Sequence, residues 1–208
     1  MSTTFEVYTP IKTIPSFDDV IALSNDLLFN KLKLHRIDSE YIINVSGRKS
    51  KTHDYVLFDK TRPAIWSPDD EYAWFTVNGV LGGCDAYVYR VSDYYRLEAW
   101  NDEFESNERA HKIESQMRNC LKTGFYWTFR RSAGLPAVIS LSYGLIAAAF
   151  AEITKGFIYS DDGAWDYAIF PTTASHFLEV YFDPQYPVPE YANWAYDCIE
   201  ILKNCKGT

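Results

Sequence analysis

The sequence predicts a single α+β domain in which helices pack on a mostly antiparallel sheet. Three observations lead to this prediction. The chain has 208 residues, an ordinary size for one domain with a substantial core. Apolar residues make up 47% and charged residues 23% of the chain, which is the balance of a folded protein rather than a disordered or fibrous one. Strand-like and helical patterns are mixed along it without strict βαβ alternation.

The first half of the chain predicts one helix and several strands. Residues 5–11 form a strand pattern that two prolines close, and Ser16 offers an N-cap with Asp19 three residues later. Apolar residues then recur at helical spacing and predict a helix over 17–33. Aromatic and β-branched runs, separated by turn residues, predict an antiparallel meander with strands at 41–45, 55–58, 72–77 and 86–91.

The second half predicts more helix than strand. A helix over 107–122 precedes a strand over 125–131, in which aromatic residues alternate with polar ones. A buried helix over 136–154 carries a stripe of small residues that favours close packing. The remaining predicted elements are a strand at 156–160, a turn at 160–163, a helix at 172–182, a proline-rich linker at 183–189 and an amphipathic helix at 190–204. The pattern leaves open a division into a strand-rich lobe, 1–92, and a helix-rich lobe, 93–208.

One apolar segment invites a membrane interpretation. Residues 132–151 are 20 residues without a charge, about the length that crosses a bilayer core. The segment contains serine, glycine and proline, and its strongly apolar part is shorter than a spanning helix needs, so we expect a buried core helix. The first ten residues have neither a basic region nor an apolar run, so no secretory signal is visible and a cytoplasmic location is expected.

Cysteine usage agrees with that expectation. The four cysteines, Cys84, Cys120, Cys198 and Cys205, form no C-x-x-C pair and no zinc-like spacing with the four histidines. Cys198 and Cys205 are seven residues apart, which on a helix places them about 10 Å apart along the axis, too far for a disulfide. We expect reduced thiols and no metal or other cofactor.

Charge and aromatic content point towards a protein partner. The net charge is −8, which disfavours general affinity for nucleic acid or anionic membranes and favours a basic partner. Residues 31–62 carry eight basic and four acidic side chains, whereas residues 93–108 carry six acids and one arginine. Aromatic residues make up 17% of the chain, and Tyr accounts for 16 of them. Such rings serve cores and interfaces alike.

These features nominate a partner-binding surface. It combines acids from two stretches of the chain, 69–71 and 102–108, with neighbouring aromatic anchors. The acids are Asp69, Asp70, Glu71, Asp102, Glu103, Glu105 and Glu108, and the anchors are Tyr94, Tyr95 and Trp100. For each acid, simple solvation of a loop or helix start is an equally good interpretation.

Two other kinds of chemistry remain open. Asp161, Asp162 and Asp166 flank a turn, with His176 ten residues beyond, and could form an acid/base or metal cluster, although Asp-Asp-Gly is also ordinary turn chemistry. Arg48, Lys49 and Lys51 could contact nucleic acid, although a solvated hairpin tip explains them as well. The sequence lacks a G-x-S-x-G nucleophile elbow and a complete phosphate-binding loop.

The C-terminal half resembles the core of bacterial immunity proteins. Three stretches carry the resemblance: the run from Phe129 to Leu135, the small-residue segment from Tyr143 to Ala148, and the run from Gly156 to Asp166. It spans roughly residues 125–182. Immunity proteins protect a cell from polymorphic toxins delivered by contact-dependent or type VI secretion systems. Because their contacts vary with the toxin, the resemblance assigns no functional residue by position.

The resemblance implies a non-enzymatic function. A protein of this family binds and neutralises one cognate toxin domain, and the missing signal peptide points to a toxin that acts in the cytoplasm, such as a nuclease. No membrane and no nucleic-acid partner are expected, and the sequence leaves the oligomeric state open. The alternatives are a small-substrate enzyme that uses the cluster of Asp161, Asp162, Asp166 and His176, a nucleic-acid-binding accessory protein, and a structural or phage-type accessory protein.

Overall fold

One antiparallel sheet of eight strands is the frame of the fold. The computed structural model describes residues 2–10, 14–67, 69–91, 98, 100–186 and 189–204. The strands are β1 (Thr3–Thr9), β2 (Ile43–Lys49), β3 (Tyr55–Val56), β4 (Glu71–Val77), β5 (Cys84–Arg90), β6 (Phe125–Arg131), β7 (Phe157–Tyr159) and β8 (Thr172–Thr173). The helices packed on this sheet confirm the predicted α+β class.

Six α-helices accompany the strands. They are α1 (Phe17–Leu34), α2 (Asn101–Ser106), α3 (Glu108–Thr123), α4 (Ala137–Thr154), α5 (Ala174–Val180) and α6 (Pro189–Asn204), with a 3₁₀ turn at Tyr167–Ile169. The predicted bounds of α1, α3, β6, α4 and α6 agree with these to within two residues. The sequence does not predict α2, because its six residues are too few to show a helical period.

The strand order differs from a simple meander. Across the sheet it is β3-β2-β4-β5-β6-β1-β7-β8, so β3 lies outside β2 and the N-terminal strand lies between β6 and β7. In the register of β1 and β6, Phe5 pairs with Phe129. Strands from both halves of the chain therefore share one sheet, and the chain forms a single body.

Local sequence signals explain where the helices begin and end. Ser16 and Asp19 form the predicted capping box at the start of α1, with the Ser16 hydroxyl accepting from the Asp19 amide at 3.1 Å. Asn107 caps α3, since its side chain accepts from the amide of Arg109 at 2.9 Å. Helix α4 ends at Lys155, which is in the left-handed conformation with φ 54°, and Gly156 follows it.

The main core lies on one side of the sheet. Alternate side chains of the central strands, including Phe5, Phe75 and Phe129, face α1, α4, α5 and α6 there. All residues of α4 from Ala137 to Ala151 are buried. By length and composition α4 is also apolar enough to cross a membrane, but most of it is buried inside the protein. It therefore occupies the position of the predicted core helix.

A second, smaller core lies on the opposite side of the sheet. Residues from the segment 100–121 pack over Tyr8 of β1, Tyr126 of β6 and Phe157 of β7. Tyr8 stacks between Tyr126 and Phe157, with ring centroids 5.1 and 4.9 Å away. We call this cluster the minor core. It is confined to the β6-β1-β7 part of the sheet.

Helix α6 buries a different isoleucine from the one that the sequence pattern indicates. The pattern places Ile201 on the apolar face of this helix, but Ile201 is 54% exposed, and Ile199 is buried in its place. Ile199 follows Ala195 by four residues and precedes Leu202 by three, so it shares their buried side of α6. Cys84, Cys120 and Cys198 are free and buried, whereas Cys205 lies outside the described residues.

Lys31 links α1 to the end of α5. Its ammonium group donates to the carbonyl oxygens of Leu178 at 3.1 Å and Tyr181 at 2.7 Å, which have no partner within α5. Burial lowers the pKa of Lys31, and the nearby Asp183 carboxylate partly offsets that effect. The charged group thus replaces the helix hydrogen bonds that end at this point.

We expect Lys31→Met to lower the free energy of unfolding by about 1–3 kcal/mol, because two buried carbonyls lose their donor. Urea unfolding followed by circular dichroism measures the change. Lys33→Met is the matched control, since Lys33 lies on the same helix and is exposed. Equal stability of the two variants would show that the Lys31 contacts contribute nothing.

Candidate functional site

Among the described residues, helices cover only part of the second side of the sheet. Helices α2 and α3 pack over β1, β6 and β7, where they form the minor core. Strands β2, β3, β4 and β5 continue the same side beyond it. There they present a group of side chains that we call the tyrosine face: Arg48, Tyr55, Tyr72, Trp74, Tyr87 and Tyr89.

The alternation of the strands creates this face. In β4, Ala73, Phe75 and Val77 enter the main core, so the residues between them point to the other side. The same holds in β5, where Ala86 and Val88 are buried and Tyr87 and Tyr89 lie opposite. Because Arg48 pairs with both Tyr72 and Tyr55, the register places the aromatic residues of three strands side by side.

The rings form a row across the sheet. Ring centroids are 5.3 Å apart for Tyr72 and Tyr87, 6.5 Å for Tyr87 and Tyr89, and 5.1 Å for Tyr89 and Tyr126. The row therefore runs from the open part of the sheet into the minor core, which contains Tyr126. Each ring therefore packs against its neighbours in the row, which restricts the rotamers open to it.

Exposure of the aromatic side chains differs across the tyrosine face. Tyr55 is 70% exposed and Tyr89 is 36% exposed, Trp74 and Tyr87 are half-buried, and Tyr72 is buried. The Tyr72 hydroxyl lies 3.0 Å from Nδ1 of His53. The face therefore offers ring surface to a partner mainly at its two ends.

One end of the face contains its own cation. The guanidinium carbon of Arg48 lies 3.7 Å from the ring centroid of Tyr55 and 5.9 Å from that of Trp74. Arg48 Nη1 also donates to the carbonyl of His53 at 2.8 Å. Arg48 is thus committed to stacking within the chain, while Lys49 and Lys51 of the same basic stretch remain exposed.

The other end of the face has an acidic environment. Asp85 forms an ion pair with Arg130 at 3.3 Å, and burial raises the pKa of the Asp85 carboxyl. Burial, followed by the charge of Asp85, raises the pKa of Tyr87 to about 12. Burial also raises the pKa of Tyr89, with smaller contributions from Asp85 and Asp69. Burial is thus the main reason that both hydroxyls resist ionisation, and the nearby carboxylates add to it while Arg130 opposes them.

The acids nominated from the sequence fall into two groups. Asp69 and Asp70 are exposed immediately before β4, and Glu71 forms an ion pair with Arg62 at 3.2 Å. The second group lies on α2 and at the start of α3, where three acids are exposed: Asp102, Glu105 and Glu108. Glu103 is half-buried and accepts from the side chain of Asn107 at 2.8 Å. The second group lies on the same side of the sheet as the tyrosine face, where α2 and α3 cover the minor core. Glu71 alternates with Tyr72 in β4 and therefore points to the opposite side, with Ala73 and Phe75.

Of the three aromatic residues nominated from the sequence, the structure describes only Trp100, and it is buried. Trp100 is only 5% exposed, because its ring packs in the minor core against Tyr8, Phe157 and Tyr159. Its ring is therefore not available to a partner. Tyr94 and Tyr95 lie outside the described residues.

The residues of the hypothetical acid/base cluster have local structural roles. Asp162 accepts from the amide of Thr4 at 3.0 Å, and Asp166 caps the 3₁₀ turn by accepting from the amide of Ala168 at 2.8 Å. Asp161 is exposed, and His176 lies on α5 beside Arg109 and Glu179. No group of three or more potential metal ligands occurs among the residues that the structure describes. Turn and cap chemistry accounts for this arrangement.

Two grooves lie away from the tyrosine face. One, of about 890 Å³, runs between α1 and residues 36–42 and includes the exposed ring of Phe29. The other, of about 1270 Å³, follows α3 and is lined mainly by polar and charged side chains. Neither was predicted from the sequence.

Sequence reasoning also missed the tyrosine face itself, although a signal for it exists. Tyr72 and Trp74 alternate with core residues in β4, and Tyr87 and Tyr89 do so in β5. A count of aromatic residues on each side of every predicted strand would have found these four residues.

Comparison with known proteins adds no relative: no protein-family model, no curated protein and no solved structure matches this chain.

Proposed function

We propose that this protein is a non-enzymatic immunity protein that binds one cognate bacterial toxin domain in the cytoplasm and blocks it. The tyrosine face is the observation that carries this proposal. Protein interfaces favour aromatic and arginine side chains at their centres, and this face contains exposed aromatic rings with Arg48 stacked among them. A sheet side that the described helices leave open is a natural place for a protein partner.

The packing of the rings against one another supports a role for the tyrosine face in binding a protein. The rings of Tyr72, Tyr87 and Tyr89 are held by neighbours at 5.1 to 6.5 Å, so few rotamers remain to be lost on binding. Preorganised aromatic side chains retain more of their contact energy as affinity than mobile side chains do.

Charge supports a basic partner. Asp69 and Asp70 are exposed beside the tyrosine face, and the net charge of the chain is −8. An acidic protein of this kind attracts a basic domain over distance and accelerates its association. Nucleases, which bind phosphates with basic clefts, are the class of toxin that best matches this charge.

The location of the family resemblance also supports the proposal. Residues 125–182 form β6, α4, β7, β8 and α5, which supply a central strand, two strands at one edge of the sheet and much of the main core. A resemblance confined to the scaffold is what a family with variable partner contacts would show. The tyrosine face lies mostly on β4 and β5, outside that stretch.

Co-expression with the toxin encoded beside this gene tests the proposal. We expect the protein to restore growth of toxin-expressing cells and to form a stable complex in size-exclusion chromatography. Asp69→Asn combined with Asp70→Asn should slow association about 3- to 10-fold at low ionic strength and have little effect at high salt, because exposed charges act through a screened field.

Asp26→Asn combined with Asp18→Asn is the matched control, since both are exposed acids on α1 and their replacement makes the same charge change. Absence of both rescue and complex would overturn the proposed function. Equal slowing by the two double variants would remove the 69–70 acids from the interface.

A further inference from the structure

We propose that the tyrosine face recognises an arginine side chain of the protein partner, whose guanidinium group lies over the rings of Tyr87 and Tyr89. This inference rests on the proposed function and specifies the chemistry of the partner. Its basis is the difference between the two ends of the tyrosine face, one at Arg48 and Tyr55 and the other at Tyr87 and Tyr89.

The occupied end provides the reference geometry. There Arg48 lies 3.7 Å from the ring centroid of Tyr55, within the range in which a cation is attracted to a ring face. A guanidinium group is planar and weakly hydrated, so it stacks on a ring while its N–H groups still donate sideways. Arg48 does both, because it also donates to the carbonyl of His53.

The other end of the tyrosine face has exposed ring surface and nearby carboxylates. Within the part of the chain that the structure describes, no cation lies over the rings of Tyr87 or Tyr89. Their centroids are 6.5 Å apart, farther than the 5.3 and 5.1 Å of the neighbouring steps, so these two rings are the least closely packed pair of the row. Tyr89 is also the more exposed of the two rings.

The nearby charges favour a cation at this step. Asp85 and Asp69 act on the Tyr89 hydroxyl as negative charges, and Arg130 opposes them from its ion pair with Asp85. A partner guanidinium would gain the ring faces and the field of both carboxylates. The phosphate of a nucleic acid would meet that field as repulsion, so a protein partner is favoured over a nucleic acid at this end.

Arginine is favoured over lysine for a geometric reason. Lysine carries a compact, strongly hydrated charge, whereas the guanidinium plane can cover a ring and donate to a carboxylate together. The face therefore predicts a preference for arginine rather than a general affinity for basic peptides.

Three probes test this inference without the toxin. They are a capped tetra-arginine peptide, a capped tetra-lysine peptide and a 12-nucleotide oligouridine, each titrated against the full chain and followed by NMR of the tyrosine rings. We expect the arginine peptide to bind at least about three-fold more tightly than the lysine peptide. Tyr89→Leu should weaken its binding about five-fold or more, and Tyr89→Phe should retain it, because the ring provides the attraction.

Tyr196→Leu is the control, since Tyr196 is 56% exposed on α6, away from the face. Equal binding of both peptides with no effect of Tyr89→Leu would overturn the inference, as would tighter binding of the oligouridine. If Tyr89→Leu fails to fold, Tyr89→Phe still allows the test. The ring at position 89 of that variant should shift when the arginine peptide is added, and the absence of a shift would overturn the inference.

Measurement of the toxin complex separates this inference from the proposed function. Arginine binding at Tyr89 without any toxin rescue would overturn the proposed function and leave the arginine site standing. A toxin complex with unchanged affinity for Tyr89→Leu would overturn the inference and leave the proposed function standing.

Discussion

Gly144→Ala is expected to lower the free energy of unfolding by about 2–4 kcal/mol, although alanine is the better helix former. Gly144 lies in the middle of α4, and a Cβ atom there would be 2.3 Å from Cζ of Tyr181. The Tyr181 ring is fully buried, and its hydroxyl donates to the carbonyl of Ser140 at 2.7 Å. The ring therefore cannot move aside without breaking a buried hydrogen bond.

A double-variant cycle checks the cause of this loss. In a Tyr181→Leu background the clash at Gly144 is relieved, so adding Gly144→Ala should become neutral or stabilising by up to about 1 kcal/mol through helix propensity. Urea unfolding of the wild type, the two single variants and the double variant gives the coupling free energy between positions 144 and 181. A loss of the same size in both backgrounds would show that the Tyr181 ring does not cause it.

The protein is expected to lose stability steeply above pH 9. Burial raises the pKa of Cys120 to about 12, of Cys198 to about 11 and of Tyr143 to about 12, and it also raises the pKa values of Cys84 and Tyr181. In the unfolded chain a thiol ionises near pH 8.5 and a tyrosine near pH 10. These groups therefore contribute fully to the free energy of unfolding below their unfolded-state pKa values. That contribution is lost as the pH rises towards their folded-state pKa values.

The slope of this loss follows from proton linkage. Each group that is ionised only in the unfolded chain costs about 1.4 kcal/mol per pH unit, so the three thiols together cost about 4 kcal/mol per pH unit near pH 10. Lys31 acts in the opposite direction, because its pKa is lowered in the folded state and the unfolded chain holds that proton longer. We therefore expect Lys31 to offset part of the loss that the thiols cause.

Urea unfolding at several values between pH 8 and pH 11 measures the slope. Cys198→Ala should reduce it by about 1.4 kcal/mol per pH unit, whatever its effect on stability at pH 7. A control at an exposed position, Tyr196→Phe, should leave the slope unchanged. A slope that Cys198→Ala does not alter would contradict the assignment.

Local signals predicted most of the elements. The alternation of Phe125, Trp127 and Phe129 with polar residues predicted β6 with its observed bounds, and the capping box predicted the start of α1. These signals span only a few residues, so their physical causes, side-chain alternation and helix capping, are present in the sequence itself. The uncharged run at 132–151 likewise contains most of the buried helix that its composition indicated.

The sequence nominated Asp69, Asp70 and the ring of Trp100 for one surface. In the structure the two acids are exposed, whereas Trp100 is buried and the exposed ring of the row is that of Tyr89. Trp100 looked accessible because acids surround it in the sequence. Its burial depends on Tyr8 and Phe157, which are distant in sequence and adjacent only in the folded sheet.

Local patterns therefore establish the fold class, the side of each strand on which a residue lies, and the ends of the longer helices. Tertiary packing sets which strands are neighbours and which part of the sheet the helices cover. Pairings such as that of Phe5 with Phe129 depend on contacts between distant segments, whose energies no local pattern contains. The tyrosine face exists because α2 and α3 cover β6, β1 and β7 and leave β4 and β5 open, which is a property of packing rather than of any one segment.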